Sequence, residues 1–150
     1  MKLQTISEIA GPDFSEIPHN SHMKILVVDD CEDLHFLIAC MFAKAGGFQL
    51  HFATSGDEAL EHYAKHGPYD AVVTDMDHPG LDGLQLAKAM RQKAPKQPIV
   101  MFTAGMSDSA VRSCRELKIP ILSKVDDFEA LPRLLKATMA AKKKKVEKRK

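Results

Sequence analysis

The most constraining feature of this 150-residue sequence is a regular alternation of short apolar runs with segments of helical periodicity. Each run is rich in β-branched or aromatic residues and has the length of a single strand. The runs are KILVV (24–28), FQLHFA (48–53), DAVVTD (70–75), PIVMFTA (98–104) and IPILS (119–123). Strands that alternate strictly with helices predict a parallel sheet, joined by right-handed crossovers, with helices on both faces.

Five helices are predicted from the spacing of apolar residues and from the residues that end each pattern. In the first helix the predicted inward positions are Leu34, Leu37, Ile38, Met41 and Phe42, and Gly46-Gly47 ends the helix. In the third helix they are Leu84, Leu86, Ala87 and Met90. The later helices are predicted from Ser55 or Gly56 to His66, Gly83 to Lys93, about Ser107 to Leu117, and about Asp127 to Ala141. Pro132 should confine the regular part of the last helix to the residues that follow it, or kink its first turn.

Length and composition predict one compact domain, because 45% apolar residues in 150 can fill one core but not two. We assign residues 1–22, with Gly11-Pro12 and Pro18, to an N-terminal extension, 23–141 to the domain, and 142–150 to a lysine-rich tail. No apolar run approaches the roughly 18–20 residues of a membrane span, and the first residues lack the centre of a signal peptide. These features predict a cytoplasmic protein.

Net charge and cysteine content indicate which binding partners and which structural sites the chain could have. The tail has a net charge of +6, which leaves −5 on the first 141 residues. Such a tail could contact nucleic acid, anionic lipid or an acidic protein, although a terminal lysine run is more often solvated. The cysteines form no CxxC pair and are odd in number, so neither a disulfide framework nor a zinc cluster is indicated; they are Cys31, Cys40 and Cys114.

Polar residues directly follow four of the five predicted strands. They are Asp29 and Asp30 after the first strand, Asp75 at the third, Thr103 after the fourth and Lys124 after the fifth. In open parallel sheets ligands bind beyond the carboxyl ends of the strands, so these side chains are expected to share one pocket. Clustered carboxylates repel unless a cation intervenes, and oxygen ligands suit Mg²⁺. The sequence therefore predicts a metal-assisted phosphoryl site in which one carboxylate is free to act as nucleophile.

These motifs together resemble the receiver domain of bacterial two-component response regulators, similar to the stand-alone CheY type. The resemblance rests on VVDD (27–30), the D-x-x-x-P from Asp75 to Pro79 with Leu81-Asp82-Gly83, FTA (102–104) and Lys124, and covers about residues 23–141. It implies a doubly wound (βα)5 flavodoxin-like three-layer sandwich with strand order 2-1-3-4-5. The protein would then be a phosphoacceptor signalling protein rather than an enzyme with turnover.

The resemblance also implies roles for individual residues. Asp75 would accept a phosphoryl group from a histidine kinase or histidine phosphotransfer protein. Asp29, Asp30 and Asp75, with the backbone carbonyl of Asp77, would hold Mg²⁺. Thr103 and Lys124 would bind the phosphoryl oxygens. A conformational switch would then reach a downstream protein through the face formed by the fourth helix, the fifth strand and the fifth helix.

Three positions depart from the family pattern. His78 replaces the usual methionine before the proline, and an exposed position is the simplest expectation for it. Val125 replaces the proline that normally follows the lysine in a cis peptide, so the bond from Lys124 is either cis under strain or trans. Ile121 stands where the family often has a switching aromatic residue. Asp77, beside the predicted phosphoryl position, is expected to alter the lifetime of the phosphorylated state.

Other interpretations stay open at this stage. VVTDMD also resembles the D-x-D motif of haloacid-dehalogenase-type phosphatases, but Asp29 and Asp30 would then be unexplained. A phosphorylation-independent adaptor with the same fold is a third interpretation. Asp29 or Asp30 alone could cap a helix, and Asp82 is predicted to cap the third helix. The seven histidines show no metal-binding spacing, so none is predicted to be a ligand.

Overall fold

The computed structural model of the protein describes residues 22–137. Most of the predicted N-terminal extension, all of the lysine-rich tail and the end of the fifth helix therefore lie outside the described residues. The strands are β1 (Met23–Val28), β2 (Phe48–Ala53), β3 (Ala71–Thr74), β4 (Ile99–Thr103) and β5 (Ile121–Ser123). The helices are α1 (Glu32–Ala45), α2 (Gly56–His66), α3 (Gly83–Lys93), α4 (Asp108–Glu116) and α5, which begins at 131.

The five strands form one parallel sheet in the order β2-β1-β3-β4-β5, which confirms the predicted fold and strand order. Every residue of β3 and β4 is buried. Strands of this kind are apolar along their whole length because helices cover both faces of the sheet. For the same reason, the sequence runs that predicted these strands are apolar at successive positions and do not alternate between apolar and polar residues.

Two apolar layers lie on opposite faces of the sheet. One contains Phe42 of α1, Phe102 of β4 and Leu131 of α5. The other contains Leu86 and Met90 of α3, packed with residues of β1, β3 and β4. The predicted inward residues of α3 are buried or packed against this second layer. The molecule is thus the predicted three-layer sandwich, with helices, sheet and helices in succession.

Side chains at the start of three helices fix where the helices begin. The Asp82 carboxylate accepts from the Gln85 backbone N–H, and the Gln85 side chain accepts from the Asp82 N–H, so a capping box opens α3. This confirms the predicted role of Asp82. Ser55 and Ser107 cap α2 and α4 in the same way through their hydroxyl oxygens. No helix within residues 22–137 is long and apolar enough to span a membrane.

Two predictions about helices are wrong. Leu37 was expected to face the core but is 54% exposed, and Ala39 is buried in its place beside Ile38 and Phe42. The inward face of α1 is therefore rotated towards the smaller residue, which allows the helix to lie close to the sheet. The fifth helix begins at 131 rather than at about Asp127, in agreement with the expectation that Pro132 confines its regular part. The Asp127 carboxylate accepts from the Ser123 N–H, and residues 124–130 form turns and a bend.

Candidate functional site

Three carboxylates converge at the carboxyl ends of β1 and β3. These strands are neighbours in the sheet, and the Asp75 N–H donates to the Val28 carbonyl at 3.0 Å, so the residues that follow each strand lie side by side. One oxygen from each of Asp29, Asp30 and Asp75 lies within 4.8 Å of the others. Asp29 is only 3% exposed, whereas Asp30 is exposed and Asp75 is half-buried. The convergence predicted from the strand ends is therefore present for these three aspartates.

Backbone groups orient two of the carboxylates. The Cys31 N–H donates to Oδ1 of Asp29 at 2.9 Å, and the Met76 N–H donates to Oδ1 of Asp75 at 2.7 Å. Helix α1 begins after Cys31, and no side chain makes a capping hydrogen bond there. Helix capping therefore does not account for Asp29 or Asp30. Each buried carboxylate keeps its second oxygen for a partner inside the cluster.

Lys124 supplies that partner from the end of β5. Its Nζ lies 2.5 Å from Oδ2 of Asp29 and 2.8 Å from Oδ2 of Asp75, and its own N–H donates to the Thr103 carbonyl at 3.1 Å. Burial lowers the pKa of Lys124, but hydrogen bonds and charge attraction from Asp29 and then Asp75 outweigh it. The net pKa is raised, so Lys124 is a cation at neutral pH.

The peptide bond between Lys124 and Val125 is trans; among the described residues the cis bond is that between Gly67 and Pro68. This settles the alternative left open by the sequence. The trans bond does not prevent Lys124 from reaching the aspartates. Val125 is 78% exposed and Ile121 is 38% exposed. Both departures from the family pattern therefore lie on the surface beside the site.

Thr103 and Asp77 occupy the edge of the site rather than its centre. Thr103 is buried at the end of β4, and its hydroxyl donates to the Gly105 carbonyl at 3.2 Å. Asp77 is exposed in the loop after β3. Within residues 22–137 the group of converging acidic ligands contains Asp29, Asp30 and Asp75 but not the Asp77 side chain. The role of the Asp77 carbonyl stays a prediction.

His78 is not the exposed residue that the sequence suggested. Its Nε2 lies 3.1 Å from the Thr74 hydroxyl, which donates its hydrogen to the Asp75 carbonyl at 2.8 Å. Because that hydroxyl has a single hydrogen, Nε2 of His78 must be the donor in their contact. Nδ1 of His78 is buried and has no hydrogen-bond partner among the described residues. The histidine thus supports the backbone of Asp75 through Thr74.

Gly83 is a residue whose importance the sequence did not reveal. Its N–H donates to the Met76 carbonyl at 2.7 Å. A Cβ at this position would lie 2.4 Å from the Asp75 carbonyl oxygen and 3.0 Å from Sδ of Met101. The start of α3 therefore packs directly against the backbone that carries Asp75. The pair Asp82-Gly83 signals a turn, but it contains no information on this close approach.

Comparisons with known proteins identify the family of the chain and agree with its fold. Residues 25–136 match the family model for the response regulator receiver domain. The chain belongs to this family. Among solved structures, it is similar to the chemotaxis protein CheY4 of Vibrio cholerae, with a TM-score of 0.69 and 25% identity over 77% of this chain and 98% of that one. It is also similar to a receiver domain from Clostridium thermocellum, with a TM-score of 0.71 and 25% identity over 81% and 97%.

Curated relatives carry such a domain within longer proteins. The regulatory protein AtoC of Escherichia coli K12 is 35% identical over 81 residues, which are 54% of this chain and 17% of that protein. The alkaline phosphatase synthesis regulator PhoP of Bacillus subtilis is 38% identical over 81 residues, 54% of this chain and 33% of that protein. A protein-glutamate methylesterase of Archaeoglobus fulgidus is 33% identical over 97 residues, 65% and 27%. The chain spans a third or less of these relatives.

Proposed function

We propose that Asp75 accepts a phosphoryl group from a histidine kinase or a histidine phosphotransfer protein, and that this changes how the chain binds a downstream protein. The observation that carries the proposal is the contact of Asp75 Oδ2 with Lys124 Nζ at 2.8 Å, within reach of Asp29 and Asp30. A half-buried carboxylate beside a fixed cation and two further acids suits phosphoryl transfer, which depends on positioning and charge neutralisation.

The proposed reaction forms one bond and breaks one. A carboxylate oxygen of Asp75 attacks phosphorus, the phosphorus–nitrogen bond of the donor phosphohistidine breaks, and the imidazole leaves with that electron pair. The Met76 N–H holds Oδ1 of Asp75 and Lys124 stays next to Oδ2. Lys124 would then pair with a phosphoryl oxygen, and the Thr103 hydroxyl would turn from Gly105 to donate to another.

The charge of the cluster fits a magnesium ion. Three carboxylates and one ammonium leave a net charge of −2, and the donors are all oxygen atoms, which Mg²⁺ prefers. Asp29, Asp30 and Asp75 would hold the ion, with the carbonyl of Asp77 as a further ligand. When bound, Mg²⁺ would neutralise charge on the transferred phosphoryl group. Zinc or copper would be disfavoured by the lack of nitrogen and sulfur donors in this cluster.

The proposed output passes through the end of β5. Lys124 directly follows this strand, and its side chain contacts the acidic cluster. Ile121, the first residue of the strand, and Val125, the residue after Lys124, are both exposed. A change at Asp75 would therefore reach the face formed by α4, β5 and α5, where a protein partner would bind. The proposal places this exchange in the cytoplasm, and the lysine-rich tail would be solvated rather than bound to nucleic acid.

The test is phosphorylation by acetyl phosphate with Mg²⁺, followed by intact-mass measurement. The wild-type chain should gain one phosphoryl group, and Asp75→Asn should gain none. Asp82→Asn is the matched control, because asparagine caps a helix as well as aspartate does and the position lies in the same loop. Omission of Mg²⁺ should slow the reaction of the wild type. An unmodified wild-type chain, or equal modification of Asp75→Asn, would refute the proposal.

The adaptor interpretation remains the second candidate because Val125 and Ile121 both depart from the family pattern. It predicts that partner binding is the same for wild type and Asp75→Asn in the presence of acetyl phosphate. The phosphatase interpretation predicts repeated hydrolysis of a phosphate ester, whereas a receiver takes up one phosphoryl group per chain. The same experiment therefore separates the three functions when inorganic phosphate release and partner binding are measured alongside mass.

A further inference from the structure

Three histidine rings meet on one surface of the protein, away from the acidic cluster. His51 lies in the middle of the edge strand β2, and His62 and His66 are one turn apart at the carboxyl end of α2. The ring centroids are 5.1 Å apart for His51 and His66, 6.1 Å for His51 and His62, and 6.2 Å for His62 and His66. Helix α2 follows β2 after two residues and packs back against that strand, so the cluster combines residues that are not close in the sequence.

The neighbours of the rings are suited to orienting them. The Tyr69 hydroxyl lies 2.7 Å from Nδ1 of His51, which leaves Nε2 of that ring for another partner. Oε1 of Glu58 lies 3.7 Å from Nε2 of His62. When Nδ1–H of His51 donates to the Tyr69 oxygen, Nε2 keeps its lone pair and its direction is fixed, as is common around metal-bound histidines. Glu58 lies beyond hydrogen-bond distance and therefore leaves His62 able to rotate.

Burial favours the neutral form of two of the three rings, His51 and His62. Burial, followed by the charges of His66, His62 and Lys24, lowers the pKa of His51 to about 4. Burial also lowers the pKa of His62, although Glu58 acts in the opposite direction. Neutral imidazoles are the form that binds metals, so protons compete little for these two sites at pH 7. His51 and His62 are half-buried beside the exposed His66, so the three rings offer nitrogen donors at one place on the surface.

We propose that His51, His62 and His66 form a binding site for a divalent transition-metal ion, with Zn²⁺ as the representative ion and Tyr69 as a positioning residue. Imidazole ligands suit zinc, copper and nickel rather than magnesium. The proposed site is therefore distinct in chemistry from the aspartate cluster, and it does not depend on phosphorylation of Asp75.

The distances between the three imidazole rings are compatible with this site. Zinc–nitrogen bonds of about 2.1 Å in a tetrahedral centre place the centroids of bound imidazoles about 5 Å apart. The observed separations of 5.1–6.2 Å are close to this value. The nitrogen atoms do not yet converge as the aspartate oxygens do, so His62 and His66 must rotate about their side-chain bonds. His66 is exposed and His62 half-buried, and a surface cavity of about 570 Å³ beside them gives the ion access.

Two lysine ammonium groups near the proposed site would repel a bound metal ion and so limit the affinity of the site. The Lys24 ammonium donates to the His66 carbonyl and lies 4.9 Å from the centre of the Tyr69 ring. Lys65 lines the same cavity as His62 and His66, where Glu58 and Glu61 partly balance it. We therefore expect a site of moderate rather than very high affinity.

The test is a Zn²⁺ titration of the full chain against a coloured chelator, with saturating Mg²⁺ to occupy the acidic cluster and a non-thiol reductant present. The wild-type chain should bind one Zn²⁺. His62→Gln and His66→Gln should each weaken binding at least tenfold, and Tyr69→Phe should weaken it about 10- to 100-fold. His66 is exposed, so its replacement tests the ligand without threatening the fold, and circular dichroism verifies that each variant is folded.

Two controls make the result decisive. His19→Gln, outside the described residues, and the double variant Cys31→Ser, Cys40→Ser should bind Zn²⁺ as the wild type does. The absence of saturable binding would overturn the proposal. Binding that survives His62→Gln and His66→Gln but is lost in either control would also overturn it, as would displacement of the ion by Mg²⁺. Replacing Zn²⁺ by Co²⁺ gives a second readout, since its visible absorption should change in the histidine variants.

Discussion

Gly83→Ala should weaken both the fold and the phosphoacceptor site, because it inserts a methyl group where no space exists. The new Cβ would lie 2.4 Å from the Asp75 carbonyl oxygen and 3.0 Å from both Cα of Met76 and Sδ of Met101. An ordinary contact needs about 1 Å more, and two of these neighbours are backbone atoms that cannot swing aside. The start of α3 or the loop after β3 must therefore move.

The magnitude follows from two opposing effects. Overpacking of this kind costs about 1–3 kcal/mol, whereas replacing glycine by alanine restricts the unfolded chain and returns about 0.4–1 kcal/mol. The net loss in the free energy of unfolding should be about 1–2 kcal/mol, which for a domain of this size lowers Tm by roughly 5 °C. If the loop rather than the helix moves, Asp75 moves with it, and a displacement of about 1 Å can slow phosphoryl transfer by about 100-fold.

Urea unfolding and the rate of labelling by acetyl phosphate measure the two effects separately. The matched control is Gly105→Ala, because a Cβ at Gly105 would meet nothing within 4 Å. The control should keep the wild-type unfolding free energy or raise it by up to about 1 kcal/mol, because only the effect on the unfolded chain applies to it. If Gly83→Ala unfolds and labels like the control, the close approach between α3 and Asp75 is not a constraint on the protein, and the reasoning fails.

Three further predictions concern the charges of the site and of the histidine cluster. Lys124→Met should lower the unfolding free energy in EDTA by about 2 kcal/mol, because Asp29 and Asp75 lose their cation. Calorimetry should show that the same variant binds Mg²⁺ several-fold more tightly than the wild type. Unchanged values of both quantities would contradict the charge balance proposed for the site. Asp77→Asn should change the dephosphorylation rate measured by intact mass over time, and an unchanged rate would remove Asp77 from lifetime control. Folding lowers the pKa of His51 from its ordinary value of 6.5 to about 4, so the unfolded chain binds more protons than the folded chain between these values. The free energy of unfolding should therefore fall as pH drops from 6.5 towards 4, by roughly 1–2 kcal/mol after allowance for the partial exposure of His51. In urea titrations, His51→Gln should reduce this dependence of the unfolding free energy on pH.

The acidic site could be predicted from the sequence because it depends on few long-range facts. Apolar runs reveal where strands end, and a parallel sheet brings those ends to one edge. Asp29, Asp30 and Lys124 stand one or two residues beyond a run and Asp75 is the last residue of one, so their meeting required only the strand order. Thr103 was placed at the same edge by the same reasoning, but the direction of its hydroxyl towards Gly105 depends on a loop conformation that periodicity does not describe.

Other features depended on distances that a linear pattern does not contain. The rotation of α1 decides between Leu37 and Ala39 as an inward residue, and both fit a helical repeat; the closeness of the helix to the sheet favours the smaller one. His51 lies eleven residues before His62 and belongs to a different element, so no local spacing signals their contact. Only the four-residue interval between His62 and His66 was visible, and it is the interval at which helical side chains become neighbours.

The position of Lys124 provides a route by which the proposed phosphorylation of Asp75 would reach the surface of the protein. The Lys124 ammonium joins Asp29, which follows β1, to Asp75, which follows β3, and the backbone of Lys124 continues into the turns after β5. A phosphoryl group on Asp75 would replace a carboxylate oxygen at this contact by a group of larger negative charge that extends further from the strand. Lys124 would have to follow that charge or leave Asp29, and either movement displaces the segment that exposes Val125. If the proposed function holds, Lys124 gives the output a route that needs no rotating aromatic residue at position 121, because the lysine that contacts Asp75 also continues into the exposed segment.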